Sequence, residues 1–156
     1  MPLIPRASGR VLPVSPGGEV LLVLDTDPAD ASRGKYWTTI GGALDPGETP
    51  ADSAVREMWE EAGVRLDPAR LIGPVARVEQ EYRWNGVEYL GDATYFAVAL
   101  DRDTEISFEN LESIEKASMI RADWWTPDAL RDETWADPDL PGLLKLAVDA
   151  VLEGDR

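Results

Sequence analysis

The chain has 156 residues, with 30 acidic and 15 basic side chains, a net charge of −15, and neither cysteine nor histidine. That length suits one domain over residues 1–156, and a hydrophobic fraction of 44% with six tryptophans is enough to fill one core. Disulfides, thiol catalysis, Ser-His triads and imidazole metal sites are excluded, so acid–base work falls to carboxylates, lysine or tyrosine, and the acidity argues against a nucleic-acid polymer as partner.

The N-terminal stretch MPLIPRASGR lacks the apolar centre of a signal peptide, and no later run approaches a membrane span. A cytoplasmic protein without membrane contact is expected. Gly9 to Val14 and Glu19 to Asp25 read as two strands joined by the turn Ser15-Pro16-Gly17-Gly18. Asp27 to Lys35 reads as a polar loop, and Tyr36 to Ile40 as a short strand. Gly41, Gly42 and Gly47, with Asp45 and Pro46, then make a turn-rich segment expected neither to continue a strand nor to begin a helix. Glycines there let backbone approach a ligand closely and expose carbonyl oxygens, which hard cations accept beside carboxylates.

A helix follows. Thr49 suits the N-cap, Pro50 the first helical position, Asp52 a capping box, and Gly63 the left-handed residue that closes the helix. Ala51, Ala54, Val55, Met58 and Ala62 recur at helical spacing as one apolar stripe. At about 100° per residue, Glu57, Glu60 and Glu61 gather roughly 120° round from it. Like charges at that spacing destabilise a helix by a few tenths of a kcal/mol per pair. A divalent, oxygen-seeking cation is the obvious neutraliser, Mg²⁺ or Mn²⁺ in its place. Arg56 stands beside Glu57 and four residues before Glu60, placed to hold carboxylates without entering a metal site. The bland alternative is a solvated acidic face; a Ca²⁺ loop of alternating acids is absent.

Leu71 to Trp84 and Val87 to Leu100 form a long hairpin around Asn85-Gly86, a dipeptide suited to a type I′ turn. Glu105 to Lys116 is acidic and reads as irregular. Ser118 to Trp125 reads as a strand, and Thr126-Pro127 opens a short helix. Leu140 to Leu152 closes the chain as an amphipathic helix with Leu140, Leu143, Leu144, Ala147 and Val151 inward. Strands interleaved with a few helices predict an α/β fold, a mixed sheet sandwiched between helices.

The segment GALDPGETPADSAVREMWEEAGV resembles the Nudix box, G-x5-E-x7-R-E-U-x-E-E-x-G-U with U aliphatic. Gly42, Glu48, Arg56, Glu57, Met58, Glu60, Glu61, Gly63 and Val64 occupy its nine specified positions within 23 residues. The match covers about a seventh of the chain. The family often has proline before the double glycine, where this chain has Ile40. The resemblance implies a Nudix-like α/β/α sandwich with a central mixed β-sheet. It also implies hydrolysis of a phosphoanhydride in a nucleoside diphosphate linked to another group.

By the same resemblance, Glu57, Glu60 and Glu61 would bind Mg²⁺ with the backbone carbonyl of Gly41. Arg56 would orient Glu57, and Glu48 with Gly42 would shape the loop or hold a water. The family draws its general base from different places, leaving Glu57 or an acid ahead of the last strand, Glu115 or Glu112. Arg33, Lys35, Tyr36 and Trp37 are candidates to hold phosphates and stack a base, as are Arg77, Tyr82, Arg83 and Trp84 on the hairpin. Ordinary surface charge and core packing are their competing readings.

The box does not encode the substrate. The proline of many ADP-ribose-cleaving members is replaced by Val78, and Tyr82 lies one residue beyond the place where dinucleoside polyphosphate hydrolases carry a tyrosine. The expected partner is a small nucleotide, with a homodimer allowed. The alternative is a non-catalytic nucleotide-sensing module, though such relatives carry degraded boxes; an isopentenyl-type isomerase is disfavoured by the lack of cysteine.

Overall fold

The computed structural model of the chain describes residues 2–154. Seven strands make one sheet: β1 (Ile4–Val14), β2 (Val20–Thr26), β3 (Lys35–Thr38), β4 (Ile40–Ala43), β5 (Ile72–Trp84), β6 (Val87–Ala99) and β7 (Arg121–Trp125). The helices are α1 (Pro50–Ala62), α2 (Ser113–Ser118), α3 (Pro127–Arg131) and α4 (Leu140–Gly154). The strand order is β3-β2-β1-β6-β5, with β4 also on β1 and β7 also on β2. Only the β1–β6 pair is parallel, so the sheet is mixed as expected.

Alternation along the strands sorts the core into two layers. Leu12, Val14, Leu22, Leu24 and Ala97 face Leu140, Leu144, Ala147 and Val151 of α4. Their neighbours Val11, Leu21, Val23, Phe96 and Val98 face Ala54, Met58 and Ala62 of α1. The result is a sandwich with α1 on one face and α4 on the other. None of the described helices is long and apolar enough to cross a membrane.

Helix α1 forms as its local chemistry predicts. Thr49 and Asp52 complete a reciprocal capping box, and Gly63 adopts the left-handed conformation at the C-terminus. The β5–β6 hairpin turns at Asn85 and Gly86, both with positive φ, as a type I′ turn requires.

Five expectations are corrected. β1 begins at Ile4, five residues before Gly9, because parallel pairing with β6 carries it on. Pro5 fits there because β4 joins β1 only from Ser8 onward, leaving one side for a residue without an N–H. Gly41 and Gly42 lie inside strand β4, paired to Arg10 and Gly9, instead of ending all strand structure. The expected strand Tyr36 to Ile40 is accordingly split at Thr39 into β3 and β4. The acidic loop contains helix α2, which no capping side chain announces, and the last strand starts at Arg121 instead of Ser118.

Candidate active site

Strand β1 approaches the start of α1 so closely that a Cβ at Gly9 would lie 2.8 Å from the Pro50 carbonyl carbon. Directly across the β1–β4 pair, a Cβ at Gly42, the register partner of Gly9, would lie 2.6 Å from the Glu57 carboxyl carbon. Both glycines therefore let the helix press its acidic side against the β1–β4 pair. Ser53, fully buried, adds a tie by donating to the Gly42 carbonyl at 2.9 Å.

Three carboxylates converge at this junction. Oxygens of Glu57, Glu61 and Glu115 lie within 4.8 Å of one another. Glu57 and Glu61 are only 7% and 3% exposed. The Gly41 N–H donates to Glu61 Oε2 at 2.7 Å, so Gly41 touches the cluster through its amide. Glu60 is placed differently: its Oε2 accepts from Arg56 Nη1 at 3.0 Å, outside the convergent trio.

Arg56 is the hub that fixes the surroundings. It donates to both oxygens of Glu48 at 3.0 Å, to Glu57 Oε1 at 2.8 Å and to the Ala43 carbonyl at 2.9 Å. Glu48 in turn accepts the Asp45 N–H at 2.7 Å, which braces the loop before α1. The Arg56 hydrogen bond holds the Glu48 carboxyl below its usual range.

The convergent acids are shifted the other way. Burial pushes Glu57 up to about 7, with Glu115 and Glu60 adding to the shift and Arg56 opposing it. Glu61 is raised well above the ordinary range by burial and then by Glu57. Glu115 is raised by burial, with Glu112 and Glu60 adding to it. Three crowded, desolvated carboxylates in a chain without histidine or cysteine are the donor set a hard divalent cation prefers. The residues fit such an ion.

The cluster opens into a cavity of about 760 Å³. Arg6, Arg10, Arg33 and Lys35 bring positive charge to it, and Tyr36, Tyr82, Trp84 and Trp135 bring aromatic surface. Of the sequence-derived substrate candidates, Arg33, Lys35, Tyr36, Trp37 and Tyr82 line it, in different ways. Arg33 stacks on Tyr36 at 4.1 Å, and Lys35 stands 5.5 Å over Trp135. Tyr82 stacks on Tyr89 with centroids 5.3 Å apart, and Arg6 donates to its hydroxyl at 3.3 Å. Trp37 is 3% exposed and meets Trp125 edge to face at 5.2 Å, which makes it wall and core together. Of the other hairpin residues, Trp84 lines the cavity, whereas Arg77 is committed to Asp92 by two hydrogen bonds. Glu112 lines the cavity from an exposed position at the start of α2.

Burial and the Asp25 charge push the Tyr36 hydroxyl up to about 12, so it stays neutral and is no base near neutral pH. Burial likewise raises the Asp25 carboxyl. Arg10 is anchored by two 2.6 Å hydrogen bonds to Thr39, one to the hydroxyl and one to the carbonyl. Neither Arg10 nor Asp25 stands in the motif. Their one sequence signal is a charge within or ending an apolar strand.

One rim of the cavity is cross-tied. The buried Asp27 Oδ1 accepts the Ala29 N–H and the Asn85 N–H, each at 2.9 Å, and Arg33 lies 3.9 Å from its other oxygen. Arg33 also donates to the Arg83 carbonyl at 3.0 Å. The β2–β3 loop and the tip of the hairpin are thus joined beside Tyr36 and Trp84.

The NUDIX domain model matches residues 5–146. In structure, the chain is similar to the MutT protein of Methanosarcina mazei Go1 at 16% identity and TM-score 0.68, covering 100% of this chain and 99% of that one. It is also similar to the Ap4A hydrolase of C. elegans at 20% identity and TM-score 0.61, covering 97% and 99%. A third is the MutT NUDIX hydrolase of Burkholderia pseudomallei, at 20% identity and TM-score 0.63, covering 94% and 98%. No curated protein matches the sequence. At these identities the likeness to solved structures establishes the fold.

Proposed function

The chain belongs to the Nudix hydrolase family, and from that premise we propose that it is a Mg²⁺-dependent hydrolase of nucleotide phosphoanhydrides. Its substrate is a nucleoside diphosphate linked to another group. The observation that carries this reading is the convergence of Glu57, Glu61 and Glu115 within 4.8 Å, at the edge of a cavity lined with arginine and aromatic side chains. The Ap4A hydrolase among the similar structures is in keeping with a nucleotide substrate.

Cleaving a phosphoanhydride requires charge neutralisation on the phosphoryl oxygens and a deprotonated water in line with the leaving group. Glu57, Glu61 and the Gly41 carbonyl would hold the ion, with Glu60 beside them. Mg²⁺ held there supplies the neutralising charge and makes a bound water easier to deprotonate. Arg56 aims Glu57 and favours its ionised form, and Glu48 holds Arg56 in turn. Glu115 takes the proton from the attacking water. It comes from a separate helix, makes no pair with Arg56, and its burial-raised proton affinity suits a base. Arg33 and Lys35 receive the phosphates' remaining charge, Tyr82 and its neighbours face the base, and Trp37 holds the wall behind them.

The deciding experiment follows release of phosphate or nucleoside monophosphate over a panel of nucleotide derivatives, with and without Mg²⁺ or Mn²⁺. Ion-dependent release from at least one of them is expected. Nucleotide binding without release under any ion would select the sensing reading instead.

A further inference from the structure

Asp25 is a buried carboxylate that the chemistry above leaves without a task. It extends the apolar run Val20–Leu24 by one residue, is 8% exposed, and lines the cavity. Its Oδ1 accepts the Thr26 N–H at 2.9 Å, and the Ser118 hydroxyl is a second donor within reach. That hydroxyl has one proton, also directed at the Glu115 carbonyl 3.3 Å away. A carboxylate offers about four acceptor sites, so Asp25 keeps acceptor capacity unused. The cations that act on it are occupied elsewhere, Arg10 by Thr39 and Arg33 by Asp27 and the Arg83 carbonyl.

Its position relative to the acidic cluster limits what it can meet. Helix α2 carries Glu115 into the cluster and Ser118 to Asp25, three residues apart or about 4.5 Å of helix rise. Phosphates gathered at the cluster cannot also face a second carboxylate, because like charges repel. Asp25 therefore faces the part of a nucleotide that follows the phosphates, where the available groups are N–H or O–H donors. Tyr36 stands opposite Asp25 in the β2–β3 register and lines the cavity together with Trp84. Flat aromatic surface beside an acceptor suits a planar ring better than a sugar.

We propose that Asp25 reads the base of the substrate. Its carboxylate accepts from two adjacent N–H donors on one edge, the pattern of guanine, and disfavours bases that present an acceptor there. This assignment rests on the nucleotide reading of the cavity. An aspartate mispaired with a base acceptor leaves two buried polar groups without partners, which is how a hydrogen-bonding site rejects the wrong ligand.

The test compares guanosine, inosine and adenosine forms of one hydrolysed nucleotide, together with the 2′,3′-dideoxy guanosine form, in wild type and Asp25→Asn. Inosine lacks only the second donor. In wild type, kcat/KM for guanosine should exceed that for inosine by about 10- to 100-fold, mainly through KM. In Asp25→Asn that ratio should collapse toward one, and removing the ribose hydroxyls should leave it in place. Equal guanosine and inosine rates in wild type would overturn the assignment. So would a preference that survives Asp25→Asn, or one that disappears with the ribose hydroxyls. Should Asp25→Asn fail to fold, binding of guanosine and inosine monophosphates to wild type, read by tryptophan fluorescence without divalent ion, decides the same point. Hydrolysis without base preference would sink this assignment alone. Guanosine-selective binding without hydrolysis would support it and sink the hydrolase reading.

Discussion

Helices α1 and α4 lie on opposite faces of one sheet and are buried in opposite ways. α4 sets Leu140, Leu144, Ala147 and Val151 against the strands, and its acids Asp149 and Glu153 stay out of the core. α1 sets Ala54, Met58 and Ala62 against them, but it also buries Ser53, Glu57 and Glu61. Burying leucine is favourable in itself, whereas burying a carboxylate is unfavourable until something pairs with it. Arg56 pairs with Glu57 and Glu60 and leaves Glu61 and Glu115 to crowd Glu57. One face of the sheet is complete as it stands; the other presents an acidic cluster with room for a cation.

The sharpest way to break this contrast is to remove the proposed base from the α1 side. Glu115→Gln should lower kcat by about 10²- to 10⁴-fold, and the loss should persist at saturating Mg²⁺. Glu61→Gln should lose activity that added Mg²⁺ partly restores, because an amide keeps size but not charge. A Glu115→Gln enzyme with near wild-type kcat would move the base back to Glu57.

On the opposite face, Leu144→Ala removes a fully buried side chain. It should lower stability by about 2–5 kcal/mol in a denaturant titration, with kcat and KM unchanged. A change in kcat of comparable size would mean that the two layers are not independent.

The ion should act on the α1 side alone. At one hundred times its dissociation constant, Mg²⁺ should stabilise wild type by about 2.7 kcal/mol, read as a higher Tm. Leu144→Ala should gain as much, and the double variant Glu60→Gln/Glu61→Gln much less. Equal gains in all three proteins would reduce the acidic cluster to a solvated face.

The remaining effect expected is on pH. Glu57 titrates near 7 in the folded chain against its ordinary 4.5, burial being the main cause. Between those values the folded state binds the extra proton, so the ion-free protein should lose stability as pH rises from 4.5 to 7. Glu61 and Glu115, raised in the same direction, add to the slope. Saturating Mg²⁺ should flatten it, which melting curves in chelator and in Mg²⁺ would measure. An ion-free curve that rises through this window would contradict the electrostatic account of the cluster.

What was legible in the sequence was what is decided within a few turns of chain. The α1 caps, the Arg56 pairs with Glu57 and Glu60, and the Asn85-Gly86 turn each depend on neighbours less than ten residues apart. The remainder depends on distant strands. Gly41 and Gly42 read as loop because their partner β1 is about 30 residues away in sequence. Glu115 joins Glu57 and Glu61 in place of Glu60 because a short, uncapped helix carries it there. Arg10 and Asp25 gave no periodic signal, since a charge in an apolar strand has meaning only once the cavity beside it is known.

The Asp27 tie has a consequence for how the binding surface can vary. Its two amide donors lie in the β2–β3 loop and at the hairpin tip, at positions 29 and 85. Neither segment contributes to the apolar layers under α1 and α4. The mouth of the cavity is therefore a two-part frame closed by the Asp27 and Arg33 side chains and mounted on a core indifferent to its shape. Lengthening either part alone would pull Asn85 from its acceptor and open the frame, whereas matched changes in both would reshape it at little expense to the scaffold. Insertions that alter ligand preference in such a molecule should come in pairs, one in each arm.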